Sequence, residues 1–121
     1  GQFSILHKVG VDKNNKIYIC DRENNRIQIF DENGKYLAEW NDVVGPGDIF
    51  FDDEIVYVVE QGGGNGVSIW TLEGELITRW RGNPEASQAA HGGWFDSKGN
   101  IYVAEIGEPG KGQRVTKFSL I

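Results

Sequence analysis

The 121-residue chain is acidic: 12 Lys and Arg residues stand against 18 Asp and Glu residues, giving a net charge of −6. A surface that binds a phosphate backbone needs the opposite balance, so the charge argues against a nucleic acid partner. No apolar stretch approaches the roughly 20 residues of a membrane-spanning helix, and residues 1–4 do not resemble a signal peptide. We therefore expect a soluble protein with no membrane partner, of undetermined compartment.

The glycine content favours short strands joined by tight turns, and the cysteine content excludes an internal disulfide. The chain has 17 glycines and 3 prolines, and tight turns between short strands use glycine for positive φ angles. No segment has convincing helical periodicity. The single Cys20 cannot form an internal disulfide.

Predicted strands begin with a first repeat, from Val9 to Trp40. A short apolar strand ends near Asp12, and a polar turn leads to Ile17-Tyr18-Ile19, which an acidic residue closes at Asp21. Residues 26–30 then alternate as a half-buried strand does, and an Asn-Gly turn leads into a fourth strand, residues 36–40.

The same order recurs twice. The second repeat, Ile49 to Trp80, has an aspartate at Asp52, the strand Val56-Tyr57-Val58, an acid at Glu60 and two further strands. The third repeat begins at Gly93 and has Asp96, Ile101-Tyr102-Val103, Glu105 and an alternating strand from Arg114. It stops before a fourth strand.

This pattern predicts an all-β fold of three four-stranded propeller blades, the last one incomplete. The strand tyrosines Tyr18, Tyr57 and Tyr102 lie 39 and 45 residues apart, which is the length of one blade. A β-sandwich or a small barrel also uses many short strands, but matched Asp, Tyr and acidic positions favour the propeller. We expect one propeller segment over residues 1–121, with blades at about 7–40, 46–80 and 91–121.

Three blades do not close a ring, because closed propellers use four to eight. Two copies would give six blades, so we expect a homodimer that closes a six-bladed β-propeller through its exposed apolar blade faces. The alternative is that the chain is part of a longer single-chain propeller.

Residues 11–30, with the run Asp21-Arg22-Glu23-Asn24-Asn25-Arg26-Ile27-Gln28, resemble an NHL repeat. Together with residues 1–7 and the third repeat, they also resemble the later blades of peptidyl-α-hydroxyglycine α-amidating lyases, which are zinc-dependent six-bladed propellers. The resemblance is weakest over residues 42–66, and the Asp-Arg-Glu-Asn run also occurs in NHL proteins without known activity.

The lyase resemblance implies zinc ligands at His7 and His91, and a substrate-carboxylate role for Arg22. The family's third zinc histidine and its catalytic tyrosine lie in earlier blades that this chain lacks. Its calcium-associated aspartate is replaced here by Gly92, which argues against calcium. A small peptide or another carboxylate would be the ligand.

Alignment of the repeats places the two histidines at the same position of the first and third repeats. His7 and His91 each lie five residues before the repeat's first aspartate, where the middle repeat has Gly47. The entry to an innermost strand faces the channel, and imidazoles there are suited to a metal. Alternatively, the histidines only hydrogen-bond water or backbone, and Arg22 only pairs with Asp21, Glu23 or an acid of a neighbouring blade.

Two functions follow from the sequence. One is a zinc-dependent, lyase-like enzyme, for which none of the tyrosines Tyr18, Tyr36, Tyr57 and Tyr102 can be named as the base. The other is a non-catalytic binding or assembly module that completes a propeller by dimerisation.

Overall fold

The computed structural model describes residues 2–62, 66–81, 89–107 and 114–119, which form three antiparallel sheets in chain order. The first contains β1 (Leu6–Val11), β2 (Ile17–Asp21), β3 (Arg26–Phe30) and β4 (Tyr36–Trp40), with a 3₁₀ turn at Arg22–Asn24. The second contains β5 (Pro46–Asp52), β6 (Ile55–Glu60), β7 (Gly66–Thr71) and β8 (Leu76–Arg81). The third contains β9 (Ala89–Phe95), β10 (Ile101–Ile106) and β11 (Arg114–Phe118). Within each sheet every strand pairs with the next along the chain, and the prediction of propeller blades is confirmed.

The turn between the first two strands is built the same way in the first and third blades. Asp12 accepts hydrogen bonds from the backbone N–H groups of Asn14 and Lys16 and from the Tyr18 hydroxyl, at 2.8, 3.0 and 2.9 Å. Asp96 does the same for the N–H groups of residues 98 and 100 and for the hydroxyl of residue 102. These bonds stabilise the tight turn and explain why Asp and Tyr recur together.

The middle blade departs from this arrangement. Its turn is shorter, with Asp53 at a φ of 50°, and Asp52 is exposed. Among the hydrogen bonds of the described residues, none links Asp52 to the turn backbone or to Tyr57. The first aspartate of the repeat therefore caps the turn in two of the three blades.

The core lies between the blades, on both faces of the middle one. Alternate residues of β6 point to opposite sides: Val56 and Val58 join the cluster against the first blade, whereas Tyr57 and Val59 join the cluster against the third. This explains why β6 reads as a continuous apolar run rather than as an alternating strand. Burial on both faces identifies it as an interior blade.

Aromatic side chains occupy both interfaces. Trp40 stacks on Trp70 at 5.0 Å between the first two blades, and Phe50 stacks on Tyr57 and Phe95 at 5.0 and 5.9 Å beside the third. Such contacts stabilise by about 0.5–1.5 kcal/mol each beyond the area they bury.

The outer faces of the first and third blades remain apolar and exposed. Val9 and Val11 are 54% and 55% exposed on the first blade, and Trp94 and Val115 are 64% and 68% exposed on the third. Trp94 therefore lies on an outer face and not between two of these three blades. Among the described residues, no helix is long and apolar enough to cross a bilayer.

Candidate functional site

The innermost strands β1, β5 and β9 share a β-bulge at the same position. In β1 the pairing with β2 steps from Leu6 to Lys8, so that His7 is the extra residue. The pairing of β5 with β6 skips Gly47 in the same way, and the pairing of β9 with β10 skips His91. A bulge changes the direction of a side chain and is common beside binding sites. The two histidines therefore occupy equivalent, specially oriented positions.

A buried acid lies beside each bulge, at the end of the second strand of the blade. Asp21 and Glu60 are 0% exposed and Glu105 is 9% exposed. Each pairs with an arginine of its own blade: Arg26 at 2.7 Å, Arg79 at 3.0 Å, and Arg114. Buried carboxylates need such partners, so these acids anchor the bulged ends of the blades.

Hydrogen bonds lower the pKa values of two of these acids, Asp21 and Glu105. Burial alone would raise the pKa of Asp21, but bonds from Asn24, the Ser4 N–H and Arg26 hold it below its ordinary value. Burial likewise opposes ionisation of Glu105, and bonds from Arg114 and Thr116 lower its pKa. Both carboxylates are therefore charged at neutral pH and are committed to structure, not to acid–base work.

The two histidines meet across the end of the middle blade. Their ring centroids lie 5.3 Å apart in an edge-to-face arrangement, although 84 residues separate them along the chain. The Nδ1 atom of His7 lies 2.5 Å from the Gly47 carbonyl oxygen, so this nitrogen carries the proton and donates it. The lone pair of His7 Nε2 is then free for another partner. The middle blade thus contributes backbone, rather than a side chain, at its bulge.

This arrangement fits two ligands of a zinc site. Two imidazoles on a tetrahedral zinc, with Zn–N bonds of about 2.0–2.1 Å, have ring centroids roughly 5 Å apart. Zinc-binding histidines commonly donate their other nitrogen to a carbonyl or carboxylate, as His7 does. Within the described ranges, no group of three or more His, Cys, Asp or Glu side chains is arranged to hold a metal. Other ligands would have to come from outside these residues.

Cys20 is not a further ligand. The thiol lies in the core between the first two blades, and burial, followed by the nearby charge of Asp48, raises its pKa to about 12. Metal binding requires the thiolate, which this environment disfavours. Its role is that of a small core residue.

Arg22 lies in an open cleft between the first two blades. Its Nε donates to Glu23 Oε1 at 2.8 Å and its Nη1 to Gln61 Oε1 at 3.2 Å, leaving the side chain 27% exposed. The expected pairing with Glu23 is present, whereas Asp21 pairs with Arg26 instead. The cleft measures about 400 Å³ and is lined by Arg22, Glu23, Asn25, Gly45, Gln61 and Gly62.

Asp48 links all three blades next to the histidines. Its Oδ1 atom lies 3.4 Å from Lys8 Nζ, and its Oδ2 atom accepts the Gly93 N–H at 3.1 Å. A Cβ atom on Gly92 would lie 3.3 Å from Asp48 Oδ2, so glycine leaves space for this carboxylate. The role of Asp48 was not predictable from the sequence, because it depends on contacts with two other blades.

The four tyrosines do not provide a base. Burial, then the bond to Asp12, raises the pKa of Tyr18, and burial also raises that of Tyr57. Burial and the bond to Glu39 raise the pKa of Tyr36, and Tyr102 donates its hydroxyl to Asp96. A raised phenol pKa opposes formation of the phenolate needed to accept a proton.

Comparison with known proteins identifies the repeat. Residues 3–30 match the family model of the NHL repeat. The chain is 34% identical over 62 residues to NHL repeat-containing protein 3 from Homo sapiens, a match that covers 48% of this chain and 18% of that protein. The presence of an NHL repeat is therefore established.

A solved structure agrees with the fold. The chain superimposes on selenomethionine-substituted virginiamycin B lyase from Staphylococcus aureus with a TM-score of 0.71 and 16% identity, covering 99% of this chain and 43% of the other. At this identity the likeness concerns the fold alone. The chain spans less than half the length of either protein.

Proposed function

We propose that this chain forms the part of a closed NHL propeller that carries a metal site, with His7 and His91 as two of its ligands. The observation that supports this most strongly is the meeting of the chain's only two histidines, at equivalent bulges, with ring centroids 5.3 Å apart. The remaining ligands would come from water or from the blades that complete the ring.

Zinc is the proposed metal, because neutral imidazoles are among its preferred ligands. When bound, it would supply Lewis acidity to an oxygen of the substrate. The Gly47 carbonyl would hold the His7 ring in the required tautomer. Calcium is not proposed at this site, since Gly92 offers no oxygen ligand from its side chain.

The proposed substrate carries a carboxylate, which Arg22 would bind. A guanidinium can donate two parallel hydrogen bonds to a carboxylate, and the cleft around Arg22 is open to solvent. Arg22 already donates one hydrogen bond to a carboxylate, from its Nε atom to Glu23 Oε1. An incoming carboxylate would compete with Glu23, which is 47% exposed and free to move away.

The reaction class that suits these groups is the cleavage of an N-acyl-α-hydroxyglycine. The bond between the amide nitrogen and Cα breaks, the hydroxyl gives its proton to a base and becomes the carbonyl of glyoxylate, and the nitrogen takes up one proton and leaves as a neutral primary amide. The chain would bind and orient the carboxylate through Arg22. The base that takes the hydroxyl proton would have to come from elsewhere in the ring.

The metal site is tested by zinc analysis of the purified full-length protein and of its His7→Ala and His91→Ala variants. Each variant should bind zinc at least about 10-fold more weakly. Lys35→Ala, in an exposed turn, is the control and should retain full affinity. Stoichiometric, equally tight zinc in both histidine variants would refute the proposal.

The second candidate is a binding or assembly module without catalysis. It is favoured by the exposed apolar faces of the outer blades and by the absence of a suitable tyrosine base among the described residues. Release of glyoxylate from an N-acyl-α-hydroxyglycine separates the two. Metal-dependent release would support the lyase, and a zinc-loaded protein without turnover would support the module.

A further inference from the structure

Gln61 lies at the bulge of the middle blade, where no histidine is present. A Cβ atom on Gly47 would lie 2.5 Å from Gln61 Nε2 and 2.6 Å from Gln61 Cδ. The carboxamide of Gln61 therefore occupies the space into which a side chain at position 47 would project. At the equivalent bulges of the other two blades, that side chain is an imidazole.

The opposite end of the same carboxamide contacts Arg22. Gln61 Oε1 accepts a hydrogen bond from Arg22 Nη1 at 3.2 Å. Arginine has no acceptor atom, so this contact assigns the oxygen to the Arg22 side and the amide nitrogen to the Gly47 side. One side chain thus spans from the cleft to the glycine whose carbonyl binds His7.

Gln61 is itself held in a defined position by backbone contacts. Its N–H donates to the Gly45 carbonyl at 2.8 Å, and the following Gly62 N–H donates to the Val44 carbonyl at 3.0 Å. The contact between Gln61 and Arg22 crosses from the second blade to the first. This contact restricts the Arg22 side chain before a ligand binds. Less conformational entropy of that side chain is then lost on binding.

We infer that Gln61 is a positioning residue: through its Oε1 atom it orients the Arg22 guanidinium in the cleft for a carboxylate ligand. The inference rests on the proposed function, because it assumes that Arg22 binds a carboxylate. It adds the residue that holds the Arg22 guanidinium in place for that carboxylate.

The test uses the full-length protein and titrates it with N-benzoylglycine, a substrate-shaped carboxylate without the reactive hydroxyl. Binding is measured calorimetrically for the wild type, Arg22→Lys, Gln61→Met and the double variant, each with its zinc content. Methionine keeps the length of glutamine without its hydrogen bonds. We expect Gln61→Met to weaken carboxylate binding about 10-fold and to leave zinc affinity unchanged.

The double variant distinguishes positioning from general damage to the fold. If Gln61 acts through Arg22, Gln61→Met should add less than about 2-fold to the loss caused by Arg22→Lys. A second substitution, Gln61→Glu, should weaken binding more than Gln61→Met, because its carboxylate would compete for Arg22. Two results would overturn the inference. One is a double variant whose loss of carboxylate affinity equals the two single losses combined. The other is full carboxylate affinity in Gln61→Met when Arg22→Lys binds weakly.

Failure of the proposed function has a different signature. Unchanged carboxylate affinity in Arg22→Lys would remove the carboxylate site itself, and with it the inference. Loss of the metal site would appear only in the zinc measurements on the histidine variants, and the carboxylate titration of the metal-free protein would still test Gln61.

Discussion

At the scale of single residues, the buried ion pairs account for the acidic position that recurs in every repeat. Asp21 is inaccessible to solvent, and its carboxylate receives hydrogen bonds from Arg26, Asn24 and the Ser4 N–H. Removing one partner of a buried pair leaves an uncompensated charge, which costs more than the pair itself contributes. The acids are thus structural supports of the bulges that carry the histidines.

Replacing the partner of Asp21 should therefore destabilise the protein. Arg26→Leu leaves the carboxylate buried without its cation, and we expect the free energy of unfolding to fall by about 3 kcal/mol. Urea unfolding at pH 7 measures the change. Lys13→Ala, which removes an exposed contact with Asp53 and Glu54, is the control and should have no measurable effect. Equal stability of Arg26→Leu and wild type would contradict the account.

The depressed pKa values of Asp21 and Glu105 also predict a pH dependence. A carboxyl whose pKa is lower in the folded state stabilises it fully above the unfolded value of about 4. That stabilisation is lost as the pH falls through the lowered folded value. The difference in urea midpoint between wild type and Asp21→Asn should therefore be large at pH 7 and smaller at pH 3. A difference that did not shrink on acidification would contradict this assignment.

At the scale of strands and blades, the middle blade takes the arginine that pairs with its buried acid from a different strand than the other two blades do. Arg26 and Arg114 begin the third strands of their blades and bind the blade's acid, but the middle blade has Gly66 at that position. A Cβ atom there would lie 1.9 Å from the Trp80 carbonyl oxygen. Arg79, from the fourth strand, supplies the cation for Glu60 instead.

Gly66→Ala should accordingly disrupt the pairing of β7 with β8. The contact is with backbone, which cannot move aside as a flexible side chain does, so we expect a loss of about 1–3 kcal/mol. Thermal unfolding followed by circular dichroism measures it. Gly92→Ala is the comparison, since its nearest contact is the Asp48 carboxylate at 3.3 Å, and it should lose less stability. A larger loss of stability in Gly92→Ala than in Gly66→Ala would show that the backbone around Gly66 can move to accommodate a Cβ atom.

Much of this architecture was predictable from the sequence, because it depends on local and periodic features. The Asp12 and Asp96 turns and the spacing of the strand tyrosines each follow from short-range chemistry. The bulges were not predictable, since a bulge is defined by pairing with another strand. The roles of Asp48 and Gln61 were missed for the same reason: their partners lie in other blades.

At the scale of the whole molecule, the apolar outer faces of the first and third blades are the surfaces open to association. Val9 and Val11 on one side, and Trp94 and Val115 on the other, are more than half exposed. In the middle blade, by contrast, both apolar faces are buried against neighbouring blades. We expect further blades to cover them, either from a second copy or from a longer chain.

A charge on an open face should impair ring closure. Val115→Asp places a carboxylate where a neighbouring blade would pack, so we expect a less stable, more extended assembly. Small-angle scattering and size-exclusion chromatography of the full-length protein measure its compactness. Lys98→Asp, in an exposed turn, is the control. An unchanged compact particle in Val115→Asp would show that this face stays in solvent.

Native mass spectrometry of the full-length protein, alone and as His7→Ala, tests the central claim most directly, because it counts chains and metal ions in one particle. We predict that the wild type forms a closed particle, either one long chain or a dimer, that carries zinc. His7→Ala should form the same assembly without the metal. A metal-free wild-type particle, or zinc retained in full by His7→Ala, would contradict this claim.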